Sequence, residues 1–301
     1  MSEGCSPRAR LITWNVVGER LVAAAAKSTI SARSFAEIFD RLEDGKVREW
    51  LRELVRRGHG SPLEHSSYTF EVVCSRACSH QLVRHRIASY SQLSQRYTDK
   101  YLRTLAERAC KAVNVECRGP KEFSEALIKA SGTLGRDELS GLVCEAFVVP
   151  PSLLASDEFL RSLVRGAASY YEAISKGANY EDARYLLPQA IKTRLVVSMN
   201  ARELLEAFLP LRMCAKAQWE IRHVAWGLWR ELVKVHPGIF SYAGPRCILY
   251  DVMTRDADAC TLEEYVRGLC KPSIERCPEL VPRDSIPRCL RALWNRHVEK
   301  L

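Results

Sequence analysis

Apolar residues recur along most of this chain at intervals of three and four, which is the spacing of amphipathic helices. The spacing predicts helices over residues 19–27, 32–57 with a break near Gly45, 76–90, 156–176, 179–187, 215–235 and 286–299. Ser156 is placed to cap the helix that follows it, and Gly177 to end that helix. Helices therefore dominate the predicted structure.

Strands are fewer and dispersed. Apolar and polar residues alternate over 66–74, which predicts a strand with Tyr68 and Phe70 on one face. Shorter apolar stretches predict strands over 10–17 and 195–199. Many helices with a few scattered strands favour a mixed α/β fold of the α+β type in a single compact domain.

Other segments carry weaker signals. Residues 102–145 show weak amphipathic helices, separated at 118–120 and at Gly132, and contain no motif, so we interpret them as an insertion. Asn200-x-x-Glu203 and Thr261-x-x-Glu264 resemble capping boxes and predict two further helix starts.

The composition excludes several classes of protein. The chain has 301 residues, of which 47% are apolar and 27% charged, and this excludes an intrinsically disordered chain. The longest aliphatic run near the start is Leu21–Ala26, whereas a membrane-spanning helix needs about 20 residues. The N-terminal residues lack the apolar core of a signal peptide. The sequence predicts a cytoplasmic protein that does not associate with membranes.

Cysteine is abundant, with twelve residues, but no C-x-x-C pair occurs. Such pairs are the usual mark of a zinc site, so no metal is predicted. Buried free thiols are one interpretation. Intracellular disulfides, as in hyperthermophiles, are another. Five of the twelve lie after residue 246, so a disulfide-stapled C-terminal segment remains open.

The net charge of +9 suits nucleic acid, an anionic membrane surface or small phosphorylated ligands. Residues 72–98 contain no Asp or Glu. The basic residues of this window are Arg76, His80, Arg84, His85, Arg86 and Arg96, with Ser89, Ser91, Gln92, Ser94 and Gln95 among them. Guanidinium groups bind phosphate bidentately, so the window predicts a phosphate or pyrophosphate cradle.

Four other polar segments could carry chemistry, although each alone also resembles an ordinary exposed surface. They are GHGSPLEH at 58–65, ARYLLP at 183–188, NARELL at 200–205 and RMCAKAQWEIR at 212–222. The corner at Asn200–Arg202 precedes a predicted helix, and helix N-termini attract anions.

Together these segments resemble a known family. RHRIASYSQLSQRY at 84–97 resembles the signature of the flavin-dependent thymidylate synthases, R-H-R-x₇-S with an arginine two residues further. Arg84, His85, Arg86, Ser94 and Arg96 fill this signature. Blocks similar to the family follow in order at 58–65, 183–188, 200–204, 211–212 and 217–222, and cover most of residues 10–240.

The chain departs from the family pattern in three places. Ser91 and Gln92 stand where some members have Asn and Glu. The stretch 200–212 is one residue longer than the pattern, which leaves the flavin contact open between Glu206 and Ala207. The insertion directly follows the signature and could cover the substrate cleft.

The resemblance implies reductive methylation of dUMP to dTMP. The carbon would come from 5,10-methylenetetrahydrofolate and the hydride from bound FAD, reduced by NADPH. The family resemblance further implies a homotetramer with shared active sites and a central, mostly antiparallel sheet flanked by helices. The catalytic domain would span 1–243, with the insertion at about 98–145, and 244–301 would form a C-terminal extension packed on it.

The resemblance also implies residue roles. Arg212 would be catalytic and would stabilise charge that develops on the uracil ring. The dUMP set would be Gln81, Leu82, Val83, Arg84, Gln92, Leu93, Ser94, Gln95, Arg96, Arg184 and Arg212. The FAD set would be Ser61, Arg84, His85, Arg86, Gln92, Asn200, Ala201, Arg202 and Glu206. His59 and Glu64 are secondary candidates near flavin and folate, and Cys214 is not expected to be a nucleophile.

Two alternatives belong to other functional classes. The net charge favours a basic nucleic-acid-binding protein, but neither a zinc finger nor an aromatic RNP motif is present, so we predict no nucleic-acid partner. The second alternative is a degenerate homologue that binds flavin without catalysis. The complete signature and Arg212 favour an active enzyme instead.

Overall fold

The computed structural model describes residues 3–255 and 258–299 as helices, strands and connecting loops. The α-helices of the described residues are α1 Gly18–Ser28, α2 Phe35–Arg41, α3 Asp44–Arg57, α4 Arg76–Leu82, α5 Lys100–Ala112, α6 Pro120–Thr133, α7 Arg136–Ala146, α8 Asp157–Ser175, α9 Tyr180–Ala183, α10 Leu209–Arg212, α11 Trp219–Val235, α12 Pro237–Phe240, α13 Arg246–Thr254, α14 Leu262–Arg267 and α15 Ile286–Trp294. The 3₁₀ turns in the same described ranges are Glu3–Cys5, Ser61–His65, Pro151–Leu153, Arg184–Leu186 and Arg283–Ser285, and the π turns are Glu203–Phe208 and Asn295–Glu299. Within this described part of the chain no helix has the length and apolarity to cross a membrane.

The strands form a small antiparallel sheet, as the mixed fold class predicted. They are β1 Arg8–Trp14, β2 Ser67–Ser75, β3 Ala88–Gln92 and β4 Lys192–Asn200, in the order β1-β2-β4-β3. Backbone hydrogen bonds from Arg76 N–H to the Ile191 carbonyl and from Ala201 N–H to the Ser66 carbonyl set the register of β2 against β4. The predicted strands over 66–74 and 195–199 are confirmed, and the strand predicted over 10–17 begins and ends earlier.

The described residues of the chain divide into two compact units. Unit 1 comprises the described parts of Met1–Arg8, Val73–Gln81 and Ser91–Leu195, and unit 2 those of Ala9–Val72, Leu82–Tyr90 and Val196–Leu301. Each unit is assembled from three separate stretches of chain. The hydrophobic pattern follows local elements, so it gives no boundary between units that are discontinuous in sequence.

The predicted insertion supplies much of the core of unit 1. Helices α6 and α7 pack on α8, and α5 packs on α6 and α7; Leu105, Leu127, Leu139 and Val143 are fully buried in this cluster. Two disulfides lie in this unit, Cys5–Cys144 and Cys110–Cys117. The insertion is therefore an integral part of the fold of unit 1.

Unit 2 contains the long helix α11 and most of the described C-terminal residues. Leu51, Trp226 and Phe240 are buried in its core. The carboxylate of Asp251 is fully buried and accepts hydrogen bonds from the Tyr265 and Ser273 hydroxyls, among other donors. The disulfide Cys260–Cys270 lies in the same segment, so the stapled C-terminus left open by the sequence is present.

Several helix boundaries follow their predicted caps. The Phe159 N–H donates to Ser156 Oγ at 3.3 Å at the start of α8, and Gly177 follows its end with a φ of 97°. Thr261 caps α14 in a complete capping box. Gln218 Oε1 accepts from two backbone N–H groups, which starts α11 at Trp219 rather than at residue 215.

Other boundaries were wrong. The helix predicted over 76–90 ends at Leu82, and Ala88 begins β3. The hydroxyl of Tyr90 donates to the carbonyls of Leu82 and His85, which stabilises a turn between the two elements. The break near Gly45 instead falls between α2 and α3, and the break at Gly132 falls after α6.

Candidate functional site

The candidate residues divide between the two units. Unit 1 holds Gln81, Gln92, Leu93, Ser94, Gln95, Arg96 and Arg184. Unit 2 holds His59, Ser61, Glu64, Leu82, Val83, Arg84, His85, Arg86, Asn200, Ala201, Arg202, Glu206 and Arg212. The signature at 84–97 thus begins in unit 2 and ends in unit 1.

His85 is the centre of a buried cluster in unit 2. Its Nδ1 lies 3.0 Å from Glu203 Oε1, and its Nε2 accepts a hydrogen bond of 3.1 Å from Arg212 Nε. The side chains of His85 and Glu203 are both only 7% exposed. The cluster joins the signature histidine to the predicted catalytic arginine, 127 residues away in sequence.

The electrostatics of this cluster determine which ring nitrogen carries a proton. Burial, helped by the positive charge of Arg212, lowers the pKa of His85 to about 4, so the imidazole is neutral at neutral pH. Because Arg212 Nε–H is a donor, His85 Nε2 must be the unprotonated nitrogen. The proton therefore sits on Nδ1 and is donated to Glu203. Burial also raises the pKa of Glu203.

Arg84 and Arg86 flank His85 in the turn between α4 and β3, and both are exposed. The turn presents the two guanidinium groups to solvent and directs the imidazole inward. This contradicts the predicted helical setting, in which neighbours would lie about 100° apart. A turn suits anion binding better, since both arginines stay accessible while the histidine is anchored.

Arg202 forms a second cluster in unit 2. Its Nη1 donates to Glu64 Oε1 at 2.5 Å and its Nε to Glu206 Oε2 at 3.0 Å, and the hydrogen bond with Glu64 is the main cause of its raised pKa. Gly60 packs so closely that a Cβ there would lie 2.3 Å from Glu206 Oε1. Glycine in the 58–65 loop therefore permits this contact. Glu206 and Ala207 were the two alternatives for the predicted flavin contact. Of these, Glu206 is the residue whose side chain joins the Arg202 cluster.

The corner between β4 and the π turn uses its backbone donors internally. The Ala201 N–H donates to the Ser66 carbonyl, and the Glu203 N–H donates to Asn200 Oδ1 at 2.8 Å. The predicted anion site on bare N–H groups of a helix N-terminus is therefore not supported at these two positions. An anion at this corner would have to be bound by side chains such as that of Arg202.

The loop 58–65 also borders a cavity of about 710 Å³ in unit 2. His59 and Ser61 line it, together with Lys27, Trp50 and Arg57 from α1 and α3. Lys27, Trp50 and Arg57 were not predicted to line a cavity, because their spacing in the sequence is that of ordinary amphipathic helices.

Unit 1 contains a smaller, strongly basic cavity of about 310 Å³. Its lining residues in the described chain include no carboxylate: they are Arg76, His80, Gln95, Arg184, Tyr185, Leu187, Pro188, Gln189 and Ile191. Burial and the nearby charge of Arg184 lower the pKa of Arg76. Two guanidinium groups that converge on one cavity form a site for an anion. Arg184 and Gln95 were predicted here, whereas Arg76 was noted only as part of the acid-free window.

The other predicted residues of unit 1 make local contacts. Gln92 Nε2 donates to Ser79 Oγ at 3.2 Å and to Thr193 Oγ1 at 3.0 Å, and Ser94 Oγ accepts from the Arg96 N–H. The Arg96 side chain is half exposed and pairs with Glu181. Exposed ion pairs of this kind are worth about 0–1 kcal/mol, so Arg96 is available to a stronger anion.

Cys214 lies two residues after Arg212 and is half-buried. Burial is the main cause of the raised pKa of its thiol, which keeps it protonated at neutral pH. The reactive form of cysteine is the thiolate, so this environment does not favour a nucleophile.

Comparison with known proteins identifies closely similar chains. Residues 10–238 match the family model described as thymidylate synthase complementing protein. The flavin-dependent thymidylate synthase of Aeropyrum pernix is 47% identical over 299 residues, which covers 94% of this chain and 91% of the relative. That of Sulfolobus acidocaldarius is 35% identical over 286 residues, with 94% and 93% covered.

Solved structures agree with these sequence matches. A flavin-dependent thymidylate synthase from Helicobacter pylori, complexed with FAD and dUMP, superposes with a TM-score of 0.57 at 26% identity, covering 79% of this chain and 99% of that one. A second structure of the Helicobacter pylori protein, with the same ligands, shares the fold at a TM-score of 0.57 and 24% identity over 83% of this chain and all of that one.

Proposed function

This chain belongs to the flavin-dependent thymidylate synthase family, and on that premise we propose that it converts dUMP to dTMP with 5,10-methylenetetrahydrofolate as the carbon donor, FAD as the bound cofactor and NADPH as the reductant. The observation that carries the proposal is the hydrogen bond between His85 of the signature and Arg212. It joins two motif blocks that are far apart in sequence, as a shared site requires.

Substrate binding is assigned to the basic groups of unit 1. Arg76, Arg184 and Gln95 line a cavity without a carboxylate among its described lining, which suits the phosphate of dUMP. Gln81, Gln92, Leu93, Ser94 and Arg96 in unit 1, and Leu82, Val83, Arg84 and Arg212 in unit 2, complete the proposed dUMP set. The nucleotide seen with the Helicobacter pylori enzyme supports this ligand.

Flavin binding is assigned to unit 2, where the side chains fit a dinucleotide. The exposed guanidinium groups of Arg84, Arg86 and Arg202 suit a diphosphate, and Ser61 is exposed on the adjoining loop. His85, Asn200, Ala201 and Glu206 of unit 2, with Gln92 of unit 1, complete the proposed FAD set. Bound FAD would supply the hydride when reduced. His59 and Glu64 are proposed to lie near the flavin and folate.

The chemistry of this chain's own residues centres on Arg212. Its Nε is held by His85 Nε2, which fixes the plane of the guanidinium group. A fixed guanidinium stabilises the negative charge that develops on the uracil ring, at no cost of reorganisation. His85 is a positioning group in this scheme, because its low pKa keeps it neutral.

Assembly and organisation complete the proposal. The family resemblance supports a cytoplasmic homotetramer, with shared active sites and a central sheet flanked by helices. Residues 1–243 would form the catalytic region and 244–301 a C-terminal extension. Neither nucleic acid nor a membrane is proposed as a partner.

One assay tests the proposed reaction. The purified protein is incubated with dUMP, 5,10-methylenetetrahydrofolate, FAD and NADPH, and dTMP is measured with each component omitted in turn. We expect dTMP only in the complete mixture. A yellow protein that forms no dTMP would support the alternative of a degenerate homologue that binds flavin without catalysis. A colourless protein that carries nucleic acid would support the alternative of a basic nucleic-acid-binding protein.

Replacing Arg96 with alanine is expected to weaken dUMP binding by roughly ten- to a hundredfold. A lost charge-assisted hydrogen bond costs about 1.5–3 kcal/mol, and the exposed pair with Glu181 costs little to break. Affinity for dUMP and for deoxyuridine is measured by calorimetry. Arg165→Ala, which removes a similarly exposed and paired arginine, is the control. Equal losses for dUMP and deoxyuridine would refute a phosphate contact.

Replacing Cys214 with alanine is expected to leave dTMP formation within a few fold of wild type. The half-buried thiol has a raised pKa, so the substitution removes packing and no nucleophile. The rate is measured on a folded, flavin-loaded preparation, alongside mass spectrometry of the wild-type enzyme quenched during turnover. A dUMP adduct on Cys214 would overturn the proposed mechanism.

A further inference from the structure

The π turn Glu203–Phe208 changes which side chains can meet on one side of the helical segment that ends at Arg212. In a regular α-helix, residues nine apart lie about 180° around the axis from each other. A π turn takes up one extra residue, which brings Glu203 and Arg212 to about 80° apart. Both side chains consequently reach the same imidazole. The π turn therefore lets these two side chains, nine residues apart, meet at one ring.

Phe208 completes the setting of that imidazole. Its ring meets His85 edge to face, with 5.0 Å between the ring centroids. Glu203, Phe208 and Arg212 therefore contact three different parts of the same ring. The hydroxyl of Tyr90 holds the backbone carbonyl of His85 at 2.8 Å. The ring cannot rotate without losing two hydrogen bonds, so its orientation is set by these neighbours.

We propose that Glu203 is a positioning residue of the enzyme, which holds His85 as the Nδ1–H tautomer so that Nε2 can fix Arg212. The inference rests on the proposed function of Arg212 and adds a residue that the family signature does not contain. Without an acceptor at position 203, the proton can move to Nε2. Nε2 would then be a second donor facing Arg212 Nε–H, and the guanidinium group would lose its anchor.

Two variants at one position separate this role from simple packing. Glu203→Gln removes the charge but keeps an oxygen that can accept from His85 Nδ1–H. Glu203→Leu removes the acceptor and fills a similar space. We expect Glu203→Gln to stay within about fivefold of the wild-type kcat and Glu203→Leu to fall on the order of 10²-fold, since small misplacement of a catalytic group has that effect. The KM for dUMP should change much less.

A matched control tests the loss of a carboxylate elsewhere. Glu19 Oε1 accepts a hydrogen bond of 2.6 Å from the Gly238 N–H, and burial raises the pKa of Glu19. Glu19→Leu loses a comparable contact without a link to His85. We expect it to lower the melting temperature and to retain the kcat of wild type in the folded fraction.

The tautomer itself is read directly by NMR on protein labelled with ¹⁵N-histidine, with His85→Gln used to assign the His85 signals. We expect the Nδ1–H form in wild type and Glu203→Gln, and its loss in Glu203→Leu. An unchanged tautomer in Glu203→Leu, or equal kcat losses for Glu203→Gln and Glu203→Leu, would overturn the proposal. The spectrum needs no turnover, so a wild type without dTMP synthesis but with the Nδ1–H form would refute only the proposed function.

Discussion

Replacing Arg212 with lysine is expected to lower the rate of dTMP formation by about 10²–10³-fold, the usual effect of removing one donor that stabilises developing charge. Lysine keeps the positive charge but lacks the planar fork of guanidinium. Its single nitrogen cannot both anchor on His85 Nε2 and face the uracil in the geometry that Arg212 Nε allows. The defect should be confined to pyrimidine activation.

The measurement combines three readings on the same Arg212→Lys preparation: flavin occupancy, NADPH oxidation and dTMP formation. We expect the first two to survive and the third to fall. Arg291→Lys, at an exposed position on α15, is the matched control and should behave as wild type. Normal dTMP formation in Arg212→Lys would remove Arg212 from the site. Loss of flavin would reassign it to cofactor binding.

Inserting one alanine after Ala207 should have an effect of similar size, about 10²-fold or more on dTMP formation. The insertion adds one residue between Glu203 and Arg212, while the π turn Glu203–Phe208 still takes up only one. Arg212 would then move about 100° around the helix axis relative to Glu203, from about 80° to about 180°. Its hydrogen bond to His85 Nε2 would be lost even though every contacting side chain is still present.

The control for this insertion is Ala207→Ser, which keeps the length of the segment and should retain activity. Circular dichroism and the melting temperature establish that the insertion variant folds. Retained activity in a folded insertion variant would show that the angle between Glu203 and Arg212 is irrelevant to the site. If the insertion variant does not fold, Phe208→Leu is used instead, since it leaves the turn in place while removing the aromatic contact with His85.

Helices and strands were predicted well where the capping residues and the apolar positions that define them lie close together in sequence. Helix α8 has its cap at Ser156 and its end before Gly177, and α14 has its capping box at Thr261. Strand β2 alternates because its two faces differ in burial. In each case the interactions that define the element join residues only a few positions apart, so the local sequence pattern predicts the element.

Predictions failed where contacts between residues distant in sequence, or a competing local hydrogen bond, determined the structure. The turn after Leu82 depends on the hydroxyl of Tyr90, which competes with continuation of the predicted helix. The two compact units were missed because neither is continuous in sequence. The insertion stays a prediction, but the sequence did not show that this segment supplies buried residues such as Leu127, since α6 and α7 bury their apolar stripes against α8, and α5 packs on α6 and α7.

For the candidate site, the sequence by itself determined the family and the types of side chain available: the arginines and histidine of the signature, and Arg212. Tertiary structure decided which of them meet. Glu203 has the position of a capping residue in sequence, yet its carboxylate pairs with His85, 118 residues away. A buried imidazole needs a partner for each ring nitrogen, and only the folded chain brings a carboxylate to one and a guanidinium group to the other.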